Sequence, residues 1–393
     1  MANTQVKQML GQAFMEIADA IETGNFGKKV RIGLTTLGSE HGVENLVKGA
    51  EMAARTASDF EIVLIGPKFD TALRIVEVNE EDPMYKKMEE LLDNGELDAC
   101  VTMHYNFPIG VSTVGKVVTP GRGTEMFLAT TTGTSATNRT EAMFRNAVYG
   151  IIAAKAMGIS EPAVGILNVD NARSVERALK ELSQNGYPIR FGGSMRADGG
   201  SVMRGNDLLT GSVDVMVTDT LTGNILMKMF SSFSTGGSYE ASGYGYGPGI
   251  GENWHRAILI LSRASGVPVV ANAMHYAASL VKGGLKRITE EEFKNVHSAG
   301  FEKIIQGFSK AQERSCDEES VKAPAKEVVI GTIAGIDIMD LDSAVQALWK
   351  AGVYAESGMG CTGPIVMVHE SRIELAMGIL AKEGYIAKEG DVC

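Results

Sequence analysis

Cys361 stands in the stretch ESGMGCTGP (356–364), between Gly358, Gly360 and Gly363 and next to Thr362. Glycines offer little bulk to bury a thiol. Their bare N–H groups favour the thiolate, the nucleophilic form of cysteine, and without a Cβ they let an anion approach the backbone. Such a setting suits a thiol that carries an acyl group as a thioester. The competing reading is a small buried residue in a tight turn, the usual place of a free cysteine. A second constellation is Asp219, Gly223, Asn224 and Lys228 in DTLTGNILMK (219–228). Asp219 ends a predicted strand, where open α/β sheets place their sites. The turn of Thr222, Gly223 and Asn224 opens a predicted helix whose free N–H groups suit an anion. Asp219 alternatively caps that helix, and Lys228 alternatively reaches out to solvent.

Both groups fit acyl transfer from a thioester to phosphate. Phosphate is already an anion at neutral pH, so a strong general base is not essential. A thiol carrier, donors for the developing oxyanion and a site that orients phosphate suffice. Arg122 and Arg139 lie in the hydroxyl-rich run PGRGTEMFLATTTGTSATNRTEAM (120–143). This run is expected as a solvated strand and loop, with a polar acyl or phosphate pocket as the alternative. His369 is rejected as a base for Cys361, because an extended 364–369 spans roughly 16 Å at ~3.3 Å per residue. His104 and His275 are expected as core histidines. Cys100 reads as core, Cys316 as inert among acidic neighbours, and Cys393 as a loose terminal thiol.

The elements that must hold these residues follow from periodicity. Strand candidates at 28–36, 60–67, 98–103, 162–169 and 212–219 alternate with helices at 43–56, 84–95, 140–158, 174–186 and 222–233. This alternation predicts a mainly parallel sheet covered on both faces. The glycine-rich STGGSYEASGYGYGPGIGE (234–252) reads as a loop or lid rather than a strand. A charged helix is expected to open with a capping box at Thr289 and Glu292. The expected domains are a core over 1–285, including an N-terminal helix over 1–25; a helical segment and linker over 286–326; and a small β-α-β-α domain over 327–393 that carries Cys361.

A net charge of −11 argues against nucleic acid and anionic membranes as partners. No window approaches 18 consecutive apolar residues, so no membrane span is expected. Four widely spaced cysteines without a CxxC pair argue against zinc and against a disulfide framework, and fit a reducing cytoplasm. The N-terminus lacks the features of a secretory signal. No metal and no cofactor are expected, and no G-x-G-x-x-G follows a strand, so a dehydrogenase is disfavoured.

Several stretches resemble the phosphate acyltransferases of phospholipid synthesis, the PlsX family, which share a fold superfamily with phosphate acetyltransferases. IGLTTLGSEHGVENLVKGA (32–50) is similar to the family's opening strand, turn and helix, with Gly38, Ser39 and Glu40 where the family has Gly-Gly-Asp. EPAVGILNVD (161–170) and SVDVMVTDTLTGNILMKM (212–229) resemble two further family segments. The fold implied is α/β, a three-layer αβα sandwich of the isocitrate/isopropylmalate dehydrogenase-like type, plus a small C-terminal α/β domain. With its appended tail, the chain resembles the family of alpha subunits of protein C from glycine/sarcosine/betaine reductase complexes.

What that resemblance implies is release of an acetyl group as acetyl phosphate. The implied partners are a ketoacyl-synthase-like beta subunit and the selenoprotein of the complex. The acyl-carrying thiol of that family corresponds to Cys361 here. The expected catalytic residues are Cys361, Asp219 and Asn224, and the expected substrate and phosphate contacts are Gly358, Gly360, Thr362, Gly363, Gly223, Lys228 and Arg139. An oligomer is expected. Two alternatives remain: a phosphate acyltransferase using acyl carrier protein, against which the added tail argues, and a non-catalytic scaffold for the partner, which the altered Gly-Gly-Asp turn favours.

Overall fold

The computed structural model describes residues 29–57, 59–195, 199–308, 321–336, 340–360 and 363–386, with residues 11, 14 and 18 ahead of them. The first half runs β1 (Val30–Thr35), α1 (Gly42–Thr56), β2 (Phe60–Gly66), β3 (Arg74–Glu77), α2 (Glu81–Asp93), β4 (Ala99–Thr102), β5 (Val111–Val118) and β6 (Glu125–Thr134). It continues through α3 (Arg139–Ala156), β7 (Ala163–Leu167), α4 (Ala172–Gln184), β8 (Arg190–Phe191), β9 (Val202–Met203), α5 (Gly205–Thr210), β10 (Val215–Val217) and α6 (Thr220–Ser231). Then come β11 (Gly247–Ile250), β12 (Ile258–Ile260), α7 (Val267–Lys282) and α8 (Leu285–Ser298). The small C-terminal unit holds β13 (Gly331–Ala334), α9 (Leu341–Lys350), β14 (Ala355–Gly360), β15 (Gly363–Val368) and α10 (Ile373–Lys382).

Twelve strands form one sheet, ordered β3-β2-β1-β4-β12-β11-β5-β6-β10-β7-β8, with β9 beside β7. Its flanks are parallel, as the alternation predicts. The three pairings at the centre, β12 with β11, β11 with β5 and β5 with β6, are antiparallel. The two parallel flanks therefore run in opposite directions. The carboxyl ends of β6, β10 and β7 open on one edge of the sheet, and those of β1, β2, β4 and β12 on the other. The pairs Val111 with Thr134 and Ser112 with Ile250 bring the start of β5 and the end of β11 to the first of these edges.

Alternate residues of one strand enter opposite cores, the mark of a sheet covered on both faces. Phe127 and Ala129 join Val148 of α3 and Val270 of α7, whereas Met126 and Leu128 join Met88 of α2 and Met227 of α6. The architecture is a three-layer αβα sandwich. The segment expected as a connecting helical piece contributes to it: Phe293 and Val296 of α8, then Phe301, Ile304 and Ile305, belong to the first core. Its expected capping box is not a helix start. α8 begins at Leu285 after Gly284, Thr289 Oγ1 donates back to the Leu285 carbonyl, and buried Glu292 is 2.8 Å from Lys155.

Two further expectations change. The glycine-rich run lies outside any named strand up to residue 246, as expected, but it does not remain a loop. Its end is β11, wholly buried at the sheet centre. A Cβ on Gly247 would lie 1.7 Å from the Val114 carbonyl oxygen, so the glycines there permit strands to approach rather than a loop to move. The threonine-rich run is solvated only in part: 121–125 are exposed, as expected, but the strand that follows is not. Thr130 and Thr131 are fully buried in β6, and their hydroxyls bond across to the Thr113 carbonyl and to the Tyr246 carbonyl.

The C-terminal unit is β-α-β-β-α rather than β-α-β-α. Its three strands pair antiparallel in the order β13-β15-β14. The strand missed from the sequence is β14, whose serine and glycines hide the pattern. Its core comprises residues such as Ile333, Leu348, Val366 and Leu380. Arg177 of α4 meets Asp340, ahead of α9, at 2.8 Å, joining this unit to the larger one. Among the described residues, no helix is long and apolar enough to cross a membrane.

Candidate functional site

Three charged side chains from separate segments meet where β7 and β10 end. Asp219 is the N-cap of α6; its Oδ1 accepts from the Thr222 N–H at 3.1 Å and its Oδ2 from the Thr222 hydroxyl at 2.6 Å. Arg139, the first residue of α3, donates to Asp219 at 3.2 Å and to Asp170 at 3.1 Å. Burial pulls the Asp219 carboxyl upward, but the Thr222 hydroxyl, the Thr222 N–H and the Arg139 charge outweigh it and hold it below its ordinary range. A carboxylate at a helix N-terminus is stabilised further by the orientation of the peptide dipoles.

This arrangement alters the expected anion site. The Thr222 N–H is taken by the Asp219 side chain and the Gly223 N–H by the Asp219 carbonyl. Gly223 itself serves close packing, since a Cβ there would lie 1.8 Å from the Thr130 carbonyl oxygen. Asn224 donates its amide to the Thr131 carbonyl at 3.0 Å, tying α6 to β6. Each residue of the Asp-x-x-x-Gly-Asn element thus has a defined task in docking the helix. Lys228 lies 5.8 Å from the centre of the Tyr246 ring. It faces Glu240, whose carboxyl burial pushes up in spite of Ser262, Ser265 and Lys228.

A cavity of about 490 Å³ opens at the same edge. Its wall includes Ser135 after β6, Glu141, Arg145 and Tyr149 of α3, and Glu252 and Trp254 after β11. Asn146 links it to the aspartate site: its Oδ1 accepts from Ser135 at 2.6 Å, and its Nδ2 donates to the Thr218 carbonyl at 3.0 Å. Arg145 pairs with Glu141 at 2.8 Å. Burial pushes the Tyr149 phenol up to about 12, and its hydroxyl donates to the Gly110 carbonyl at 2.7 Å. With two carboxylates against one guanidinium, this cavity suits an uncharged acyl group better than free phosphate. Glu141, Arg145 and Tyr149 were missed from the sequence. Their spacing of four residues along one face of α3 was the signal available.

A sequence model of the fatty acid synthesis protein family matches residues 30–367. The chain belongs to this family. The glycine/sarcosine/betaine reductase complex component C subunit alpha of Peptoclostridium acidaminophilum is 67% identical over 384 residues, which is 98% of this chain and 100% of that one. A phosphate acyltransferase of Geobacillus sp. (strain WCH70) is 28% identical over 244 residues, 51% of this chain and 70% of that one. A solved 4-hydroxythreonine-4-phosphate dehydrogenase from Klebsiella pneumoniae aligns with 65% of this chain and 100% of its own, at 13% identity and a TM-score of 0.41. The fatty acid synthesis protein match reaches past the twelve-stranded sheet into β15 of the small unit.

The remaining expected residues lie in that unit. Gly358 and Gly360 are in β14 and Gly363 opens β15, with Gly360 paired to Gly363. Cys361 and Thr362, between them, lie outside the described residues, as do Cys316 and Cys393. His369 follows the far end of β15 and accepts from the Ser371 N–H, so it stands away from the 360–363 end of the hairpin. His104 is exposed rather than core. His275 is half-buried, 2.9 Å from the Thr56 hydroxyl, and burial lowers its pKa. Cys100 is a fully buried core residue whose thiol burial pushes far up. Among the described residues, Glu252, His297 and Glu302 bring three possible metal-ligand atoms within 4.8 Å of one another. As placed, His297 Nε2 is within hydrogen-bonding distance of Glu252, at 2.6 Å.

Proposed function

We propose that the chain is a subunit of a glycine/sarcosine/betaine reductase-type complex that passes an acetyl group from a thioester to inorganic phosphate. The observation that carries this reading is end-to-end similarity to a component C alpha subunit, including the tail with Cys361. In the step proposed, a phosphate oxygen attacks the carbonyl carbon of the Cys361 thioester. The tetrahedral oxyanion collapses, the C–S bond breaks, the sulfur leaves as thiolate and acetyl phosphate departs. Backbone N–H groups at the 360–363 turn that the β14–β15 pairing leaves free would stabilise the thiolate and the oxyanion.

Asp219 and Asn224 act in this scheme mainly as positioning residues. Asp219 fixes Arg139, which uses two of its five N–H donors on carboxylates and keeps others for phosphate. Gly223 enters the scheme only by letting α6 pack against β6, and Lys228, which faces Glu240, stands apart from the phosphate surroundings. A ketoacyl-synthase-like beta subunit and the selenoprotein of the complex would supply the acetyl group.

Replacing Cys361 by Ala and following arsenate-dependent hydrolysis of acetyl phosphate tests the proposal; undiminished activity would end it. A second reading, a scaffold for the partner subunit, is favoured by the capture of the Thr222 and Gly223 N–H groups within the fold. It requires the partner alone to make acetyl phosphate. Long-chain acyl carrier protein offered as donor separates the lipid-pathway alternative.

A further inference from the structure

The small C-terminal sheet leaves one edge of β14 open. β14 pairs with β15 on one side and, among the described residues, with no strand on the other. Gly360 pairs with Gly363 across a two-residue turn, and such a closing pair exchanges both of its hydrogen bonds. Bonded and unbonded pairs alternate along an antiparallel ladder, so Gly358 and Glu356 also bond to β15, whereas Ala355, Ser357 and Met359 turn their N–H and C=O groups outward. The Ala355 carbonyl agrees with this phase, since it accepts from Trp349 Nε1 at 2.9 Å. The free edge ends at Gly360, the neighbour of Cys361 in the chain. Helix α9 turns this edge into a groove of about 390 Å³, lined by Asp342, Val345, Gln346 and Trp349 of the helix and by Ala355 and Ser357 of the strand. The four helix residues share one face. Trp349 meets Ala355 just after the connection at 351–354, so α9 runs back along β14 and carries Asp342 toward the Gly360 end.

We propose that an extended segment of a partner polypeptide adds to β14 as a fourth, antiparallel strand, with an apolar side chain against Val345 and Trp349 and a lysine or arginine at Asp342. A row of outward N–H and C=O groups at strand spacing is complementary to extended backbone, which identifies the occupant in a way that apolar surface alone does not. The groove itself holds an acceptor in need of a donor: Gln346 Oε1 is buried without a hydrogen-bond partner. Asp342 is exposed and has no ion-pair partner among the described residues, so its charge selects a basic side chain. The spacing also matches. Residues i and i+2 of a strand stand about 6.6 Å apart on one side, and Asp342 and Gln346 are about 6 Å apart along the helix axis. A chain seated here ends beside Gly360. That it belongs to the partner that loads Cys361 rests on the function proposed above; the docking itself does not.

Titrating a fluorescein-labelled peptide, Ser-Lys-Thr-Val-Thr-Val-Ser, with the full chain and following anisotropy provides the test. In the proposed register its lysine and valines face the groove, and their N–H groups bond to β14. Saturable binding with a dissociation constant below about 1 mM is expected. N-methylation of both valines should weaken it at least about tenfold, and N-methylation of both threonines, whose N–H groups point away, by no more than about twofold. Ser357→Pro removes an outward N–H that β15 does not use and should weaken binding about tenfold. Asp342→Lys should reverse the preference, so that a peptide with glutamate in place of lysine binds better; this variant carries the test if Ser357→Pro alters the circular dichroism spectrum. Cys361→Ala should bind the peptide as wild type does, which keeps this outcome apart from that of the acetyl-transfer assay. Three results would each overturn the proposal: no saturable binding, equal loss on methylating valines and threonines, or an unchanged lysine preference in folded Asp342→Lys.

Discussion

Gly223→Ala isolates the docking of α6 on β6. The new Cβ would stand 1.8 Å from the Thr130 carbonyl oxygen, where real contacts are essentially never under 3.0 Å. The obstacle is backbone within a buried strand, so the helix must retreat by the difference, about 1.2 Å. That retreat would stretch the Asn224 bond to the Thr131 carbonyl, now 3.0 Å, and the Thr220 bond to the Gly133 carbonyl, now 3.2 Å, beyond hydrogen-bonding range. Overpacking costs about 1–3 kcal/mol, and the two lost hydrogen bonds about 1 kcal/mol each. The expected destabilisation is about 3–5 kcal/mol, a fall in melting temperature of roughly 4–8 °C. Thermal unfolding followed by circular dichroism measures it. A melting temperature within about 2 °C of wild type would refute the claim that this glycine exists for close packing.

Asp219→Ala removes both the helix cap and the partner of Arg139, and should cost about 0.5–2 kcal/mol at neutral pH. Because the folded-state pKa of Asp219 is lowered, its contribution is full above the ordinary value of 3.8 and fades as pH falls through the folded value. Urea titrations of wild type and variant should therefore converge in acid; a difference that grows there contradicts the assignment. Gly247→Ala should abolish soluble folded protein, since its Cβ would meet the Val114 carbonyl oxygen at 1.7 Å. Gly236→Ala, with open space around it and a φ of +63°, should cost only about 1–2 kcal/mol. Equal effects of the two on soluble yield would revive the lid reading. Iodoacetamide followed by peptide mass spectrometry should leave Cys100 unmodified until the chain is unfolded, because the thiol is buried and its pKa raised.

Local patterns carried much of this protein. Strand and helix alternation, two-sided coverage of the sheet, Cys100 as core and Asp219 as a possible cap all follow from side-chain periodicity and residue type within short windows. The stretch 212–229 also resembles a segment of the family to which the chain belongs. Other features depend on pairings between residues far apart in the chain, which no window records. Arg139 reaches Asp170 across 31 positions and Asp219 across 80. The antiparallel centre of the sheet, which turns the two flanks in opposite directions, depends on β11 lying between β12 and β5. Glycine at 247 reads locally as freedom to move; only the carbonyl packed against it shows that it serves close approach instead. Residue types were thus fixed by the chain order, while the meeting of charges, the reversal of the sheet and the cavity beside Asn146 arise from long-range contact, where burial and backbone hydrogen bonding outweigh local preference.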